Sequence, residues 1–494
     1  MTRYGVDIYG QCTYGVEGTG TTLLWGLDIA WQTEGVFTGT NYAQYMTSCQ
    51  WSRGRSKYLG NNGKGIELPE VGSLSFELDN RDGTFDVTNS SSPLYPDIEP
   101  GKYARLKVRV GEAGTAYNVF TGIISAIEPV WGGINPKVRV TVEDGWSILN
   151  QNEISLEYAA DCTSSVAMAN ILSAANYPAM WGTSVETGDY QIPYFTSVKN
   201  KSASQVIKDL INFEFGTVAV ANDGKFIFKK QTQVSAPAYT ISQSHMLKDI
   251  QVYQSYNGIR NAAKVNVYLK WFYGGTIDIP IPTVIWSLDE IPQVASHELY
   301  EVWGYYQYAD HDAIAAVTAT VTATTDYTMN EDADGGGANR TGQFTVTATN
   351  YGDRVKFEVY NAGTTAAYIT LLQIRGYGYY TPDTTFVEVD NSTTTKRTVT
   401  IDSPYIQTRA FAKNQANYLL AVTGQEILPR FQMEARPERQ FEYDLLDEVI
   451  LSINKYAIRD SYFISHIEGE WLSENGQAVL STFQVETAAE GGIS

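Results

Sequence analysis

The chain has 494 residues, 43% of them hydrophobic and 18% charged, with a formal net charge of −20 and a pI near 4.7. Its length exceeds one ordinary core and implies three or four domains, and the apolar share excludes a disordered tether. So acidic a surface repels phosphates and anionic membranes and excludes sequence-reading DNA binding. The acidity is either an ordinary solvated surface or a negatively lined passage through which DNA slides without sticking.

In chain order, the first forty residues are rich in Gly and Tyr. They end in Leu23, Trp25, Leu27, Ile29 and Trp31 at period two, the mark of a strand with one apolar face. Residues 50–66 read as a polar, Gly-rich loop. Leu74, Phe76 and Leu78 alternate up to the turn Asp79-Asn80-Arg81-Asp82-Gly83. Leu106, Val108 and Val110, the run Phe120–Ile127, and Val138, Val140 and Val142 complete an all-β unit ending near residue 145.

Thr163 is placed to cap a helix over about 164–175, stopped by Asn176-Tyr177-Pro178. Ser202-x-x-Gln205 has the form of a capping box, with Val206, Leu210 and Phe213 on one helical face behind it. Val218–Phe228 reads as a hairpin about Asn222-Asp223-Gly224. The β pattern returns at Ala263–Tyr268. A Thr- and Ala-rich stretch follows, with Phe344–Thr347 and Val355–Val359, and has the size of an inserted sandwich. A helix is expected over Ala412–Thr423, closed by Gly424, and β structure after it.

Ser125-Ala126-Ile127-Glu128-Pro129-Val130-Trp131 matches Ser465-His466-Ile467-Glu468-Gly469-Glu470-Trp471 at Ser, Ile, Glu and Trp. Each segment follows an alternating strand (106–110, 449–453) and precedes another (140–143, 482–486). The shared order, more than the identities, indicates a duplicated barrel in which a Trp at the strand end plugs the barrel mouth or packs in the core. The expected fold is mainly β with a small α+β part. It comprises an N-terminal β arm at 1–34, a first β-barrel at 35–148 and an α+β domain at 149–244. A second barrel has a first part at 245–295 and, after an inserted β-sandwich at 296–395, a second part with one helix at 396–488. A C-terminal tail occupies 489–494. Three such chains in a ring would present six similar units.

The run Gly72–Asp86, ending Leu78-Asp79-Asn80-x-Asp82-Gly83, is followed by Ser92-Pro93-Leu94-Tyr95-Pro96, by Pro100-Gly101 and by Phe120-Thr121-Gly122-Ile123-Ile124. Together these resemble the N-terminal part of minor tail or tail-hub proteins of long-tailed bacteriophages, over about residues 50–145. Leu371–Gly376 and the C-terminal barrel are similar in style. The resemblance implies a hub of the baseplate-hub superfamily, a homotrimer with two tube-like barrels. Such a hub sits at the distal end of the virion tail and joins the six-fold tail tube or distal tail ring to the central fibre or tip. Its partners would be the distal tail or tail tube protein, the tape measure protein and the fibre or tip protein, with transient passage of DNA.

No catalytic, cofactor or metal site is expected, and the sequence does not identify interface residues. Asp79, Asn80, Asp82 and Asp86 fail an EF-hand register, which would need acids where Leu78 and Asn89 stand. Glu331, Asp332 and Asp334 before Gly335-Gly336-Gly337 read as a solvated turn. His245, His297, His311 and His466 are scattered, and no nucleophile elbow, P-loop or dinucleotide fingerprint occurs in its required context. Cys12, Cys49 and Cys162 read as reduced, buried thiols. No signal-like or bilayer-length apolar run is present, so synthesis in a cytoplasm is expected, where Asn391-Ser392-Thr393 carries no glycan meaning. A structural hub is the leading expectation. A receptor- or carbohydrate-binding adhesin is the alternative, using Tyr305, Tyr306, Tyr308, Tyr377, Tyr379 and Tyr380 of the sandwich. A cell-wall hydrolase, supported only by excess acids, ranks last.

Overall fold

The computed structural model describes residues 22–487, apart from 33–34, 38, 55–68, 131–134, 197–200, 231–238, 243–250, 254–259, 273–274, 277–278, 281–282, 309–310, 319–320, 393–394, 424–429, 436–439, 454–457, 474–475 and 477–478. The fold is mainly β.

The first barrel is built from β1 (Leu23–Ile29), β2 (Met46–Gly54), β3 (Glu70–Asp79), β4 (Tyr103–Val110), β5 (Ala116–Val130) and β6 (Lys137–Glu143). They lie in the order β1-β4-β5-β6-β3-β2. Period-two alternation sends Leu74, Phe76 and Leu78 of β3 and Val138, Val140 and Val142 of β6 into one core with Leu106, Val108 and Phe120. β1 pairs with β4 along its length, from Leu23 opposite Val110 to Ile29 opposite Ala104. The expected separate arm at 1–34 is therefore corrected for β1, whose buried Leu23, Leu27 and Ile29 complete the barrel core. Residues 1–21 lie outside the described residues. A short helix unforeseen in the sequence, α1 (Gly145–Gln151), follows β6, with the Asp144 carboxylate accepting from the Trp146 N–H at 3.0 Å.

Next come β7 (Ala159–Thr163), α2 (Ser164–Ala174), β8 (Thr183–Val185), β9 (Gln191–Phe195) and α3 (Ala203–Glu214). The hairpin β10 (Thr217–Val220) and β11 (Phe226–Lys229) then leads to β12 (Tyr239–Ser242) and β13 (Gln251–Tyr253). The capping box at Ser202 and Gln205 is formed, and Val206, Leu210 and Phe213 are buried. Thr163 stands at the N-cap of α2, but its hydroxyl meets Ser165 Oγ instead of a backbone N–H.

The expected course of the second barrel is corrected at β14 (Ala262–Val267), and the expected sandwich, 296–395, is corrected at β15 (Thr385–Asp390); the second barrel's later part is corrected at β16 (Thr398–Ile401) and α4 (Arg409–Thr423). These strands form their own sheet, β15-β14-β16. α4 packs with them into the core of α2 and α3 through Ala412, Ala416, Val265 and Ile401. The reason is physical: β14 is buried at Ala262, Ala263, Val265 and Val267, and alternation fixes the buried face of a strand without naming its neighbour. α4 begins about one turn before the expected start, and Gly424 lies outside the described residues.

Between β14 and β15 stands the insertion. A sheet centred on the strand Ala367–Tyr380 packs on a second of Leu299–Tyr305, Arg354–Asn361 and Phe344–Asn350. Ile285, Met329, Phe357, Val359, Ile369 and Ile374 lie between them. It takes in strands upstream of the expected start at 296, including Thr283–Ser287 and Gln293–Val294.

The chain ends in β17 (Arg430–Ala435), β18 (Glu448–Ile453), β19 (Ile458–Trp471) and β20 (Val479–Thr487). With β13 and with β12, which corrects the expected end of the α+β domain at 244, they make the second barrel, around Val449, Leu451, Ile464, Phe483 and Val485.

Candidate assembly interface

The two barrels repeat one another strand for strand. The order β1-β4-β5-β6-β3-β2 of the first corresponds to β12-β18-β19-β20-β17-β13 of the second. The register repeats as well. Ile124 faces Val142, the ladder skips Ser125, and Ala126 faces Thr141. In the second barrel Ile464 faces Val485, the ladder skips Ser465, and His466 faces Gln484.

Both motif serines are thus the extra residue of a β-bulge, a device that bends a strand and re-aims the residues beyond it. Each hydroxyl donates back across the bulge, Ser125 to the Thr141 carbonyl and Ser465 to the Gln484 carbonyl, both at 3.3 Å. One ladder differs in sense: β1 runs antiparallel to β4, whereas β12 runs parallel to β18.

The barrels share one continuous twelve-stranded sheet, joined by antiparallel pairing of β2 with β19 from Gln50 opposite Glu470 to Gly54 opposite His466. Residues 50–54, expected as loop, are strand. Cys49, Trp51 and Arg53 supply a buried period-two face, a signal that the flanking polar residues obscured. Trp51 stands opposite Gly469, and a Cβ there would come within 2.1 Å of the indole. A glycine is required for the two backbones to approach across that ring.

Trp471 does not plug its own barrel. Its ring lies 5.1 Å from that of Trp25 in the first barrel, and Trp25 also meets Trp51 and Phe441. The Trp25 indole N–H donates to the Gly476 carbonyl at 2.9 Å. Trp131 lies outside the described residues.

Three domains meet at Arg53, whose side chain is 3% exposed. Its guanidinium donates to Asp444 Oδ1 at 2.8 Å, and Asp444 Oδ2 accepts from the backbone N–H of Asn222 in the α+β hairpin at 2.8 Å. The Asp444 N–H in turn donates to Asp447. Burial pushes the Asp447 carboxyl up to about 6 and the Asp144 carboxyl up to about 7, against the opposing pull of Arg53 on both. The arrangement is a structural clamp, with the guanidinium set among carboxylates from the Asp444–Asp447 turn and the N-cap of α1. Pairwise sequence spacing carries no sign of it, since Arg53 and Asp444 are far apart in the chain.

The acidic and amide side chains of the 79–86 and 331–334 turns serve their own loops. Asn80, Asp82 and Asp86 accept from the backbone N–H groups of Phe85, Thr84 and Thr88. Asp79 pairs with Arg81, Glu331 accepts from Ala338 and Arg340, and Asp334 accepts from Gly336. Among the described residues, no group of three or more His, Cys, Asp or Glu is placed to hold a metal. Cys49 and Cys162 are buried free thiols, while Cys12 and His245 lie outside the described residues. His466 is buried beside Ser52 and Glu468. Of the six sandwich tyrosines, Tyr305 is exposed, Tyr306 and Tyr379 are buried, and Tyr377 and Tyr380 are half-buried; the side chain of Tyr308 is not among those described. Among the described residues, no helix is long and apolar enough to cross a membrane.

No family model and no curated protein matches the chain. Among solved structures it is similar to a tail protein from Neisseria meningitidis MC58, at 9% identity over 94% of this chain and 99% of that one, with a TM-score of 0.49. It is similar to the 43 kDa tail protein of prophage MuSo2 from Shewanella oneidensis, at 10% identity over 95% and 99%, with a TM-score of 0.48. A third likeness is to an E. coli type VI secretion component described as similar to the T4 bacteriophage tail proteins gp27 and gp5. There the identity is 6% over 94% and 77%, with a TM-score of 0.39.

Proposed function

We propose that the chain is the structural hub of a phage tail tip, at the distal end of the virion tail. In this reading it trimerises, joins the six-fold tail tube or distal tail ring to a three-fold tip or central fibre, and carries out no catalysis. The observation that carries the reading is the pairing of β2 with β19. It joins two equivalent barrels through non-equivalent edges, and a contact of that kind builds rings. The tail-hub motifs over residues 50–145 supply the context. Three chains would then set six barrels around one axis, with a bore for DNA and the tape measure protein. The charge of −20 suits a wall to which DNA does not adhere.

Light scattering on the purified chain, together with an image of the assembled tail, tests this reading. The expected results are a mass of three chains and density at the distal end. A monomer at high concentration, or density elsewhere in the particle, removes it. Clustered Asp and Glu around the three-fold axis are expected as well, and a basic bore would discard the DNA-passage element.

A second reading, an adhesin working through the insertion, is favoured by one face of the strand Leu299–Tyr305. Trp303 and Tyr305 are exposed there, and the Arg354 guanidinium lies over both rings. Glycan-array binding that disappears in a Trp303→Ala, Tyr305→Ala double variant would establish it, and no binding by the parent chain would dismiss it.

A further inference from the structure

Past its bulge, β19 has a strand on each side: β20 along one edge and β2 along the other, over His466–Glu470. β5 is the equivalent strand of the first barrel. Its first half is covered by β4 and its other edge by β6. Its last residues, Ala126–Val130, have no strand on the edge where β2 would lie, among the described residues. Burial follows the difference. Ser465, His466 and Ile467 are 3%, 6% and 4% exposed, whereas Ser125 and Glu128 are exposed and Val130 is 41% exposed.

The complementary edge is also present. β13 holds in the second barrel the place of β2 in the first, and it pairs only with β17 among the described residues. One chain therefore carries one completed barrel-to-barrel junction and the two unmatched halves of another.

We propose that β13 of one chain pairs antiparallel with the end of β5 of a second copy, repeating between subunits the junction that β2 and β19 make within one. The proposal rests on the trimeric reading above and names the contact that closes it. Transferring the internal register through the equivalences Gln50 to Gln251 and Glu470 to Val130 places Gln251 opposite Val130, Val252 opposite Pro129 and Tyr253 opposite Glu128. The tight facing pair Trp51 and Gly469 becomes Val252 and Pro129.

Pro129 also fixes the geometry. A proline inside a paired strand is tolerated where its nitrogen is turned to the open edge. Residues 128 and 130 then direct their backbone groups to β6, so Glu128 with Tyr253 and Val130 with Gln251 are non-hydrogen-bonded pairs. Their Cα atoms would stand ~4.5 Å apart, within disulfide reach. The missing N–H removes one ladder hydrogen bond at the Val252–Pro129 pair and leaves the edge a poorer template for strand addition, so the junction relies on the pairs that flank it.

The test uses the full chain carrying Glu128→Cys with Tyr253→Cys and, in a second protein, Val130→Cys with Gln251→Cys. Mild oxidation is followed by mass under denaturing conditions, and light scattering is run on the same samples with the parent chain as control. The expected result is a scattering mass of three chains and a covalent ladder ending at the trimer for both pairs. Mixing the two single variants Glu128→Cys and Tyr253→Cys should give a covalent dimer and nothing larger. A trimer in solution that neither pair cross-links overturns the proposed contact and leaves the hub reading intact. A covalent dimer formed by Glu128→Cys alone shows like edges meeting and overturns the contact too. A monomer in solution with no cross-link overturns both.

Discussion

The two barrels and the inserted sandwich are attached to the rest of the molecule in different ways. The barrels are fused by backbone pairing within a single sheet, sealed by an indole pressed on a glycine and by the buried Arg53–Asp444 pair. Outside its neck, the sandwich touches the α+β domain through a few separate contacts, one of them aromatic, the Tyr379 ring 4.4 Å from that of Tyr194, and the others polar. Arg354 reaches Ser155, the Thr196 hydroxyl donates to the Tyr351 carbonyl at 2.6 Å, and the Tyr158 N–H donates to the Asn350 carbonyl at 3.0 Å. Backbone ladders resist shear along their whole length, while isolated hydrogen bonds are worth about 1 kcal/mol each. The barrels should therefore behave as one mechanical unit and the sandwich as an appendage with its own stability.

The largest expected effect comes from breaking the fused side. Gly469→Val drives a branched side chain into the Trp51 ring and should cost ~3–4 kcal/mol, an overpacking penalty added to a disrupted edge. Chemical denaturation should then show the second barrel unfolding ahead of the first. A single unshifted transition would show that the junction is not what unites them.

A smaller effect concerns the buried carboxyl at the foot of the first barrel. Asp144 titrates near 7 in the folded chain against 3.8 for a free carboxyl, so it binds its proton more tightly when folded. Its contribution is fully present below pH 3.8 and is lost as the pH rises toward 7. Asn can cap α1 equally well and carries no charge. Asp144→Asn should flatten the fall in stability between those pH values and be more stable than the parent at pH 8, by on the order of 2 kcal/mol. Parallel stability–pH curves for the two proteins would contradict the assignment.

The smallest effect is expected on the appendage. Arg354→Ala removes the contact with Ser155 and the cation over Trp303 and Tyr305, for about 1–2 kcal/mol. The loss should be confined to the sandwich: proteolysis within 283–380 should accelerate while the barrels stay protected. Equal acceleration across the chain would mean that the sandwich is coupled to the barrels after all.

Local chemistry made part of this fold legible. The capping box at Ser202, the turn at Asn222-Asp223-Gly224 and the alternation in β3, β4 and β6 each act over a few residues, and each formed as expected. The repeat of S-x-I-E-x-x-W was also visible, and its serine now has a cause in the bulge. What was hidden depends on partners distant in sequence. Period two told that one face of β14 is buried but not that it joins α4, and nothing near Arg53 announced Asp444. The strand of Trp471 by itself suggests a plug, because its ring contact with Trp25 exists only once the two barrels are side by side. The edges proposed to meet between chains were the least legible, because an edge is defined by what fails to pair.

The neck of the sandwich has a consequence of its own. β14 and β15 are antiparallel neighbours, with Val267 directly opposite Thr385, and Trp271 stands opposite Tyr380 a little further out. The chain leaves for the insertion and comes back at adjacent backbones, so a tight turn joining Val267 to Thr385 would close the gap without shifting a single register. The insertion is in effect a cassette, held by two neighbouring backbones whose pairing does not depend on what lies between them.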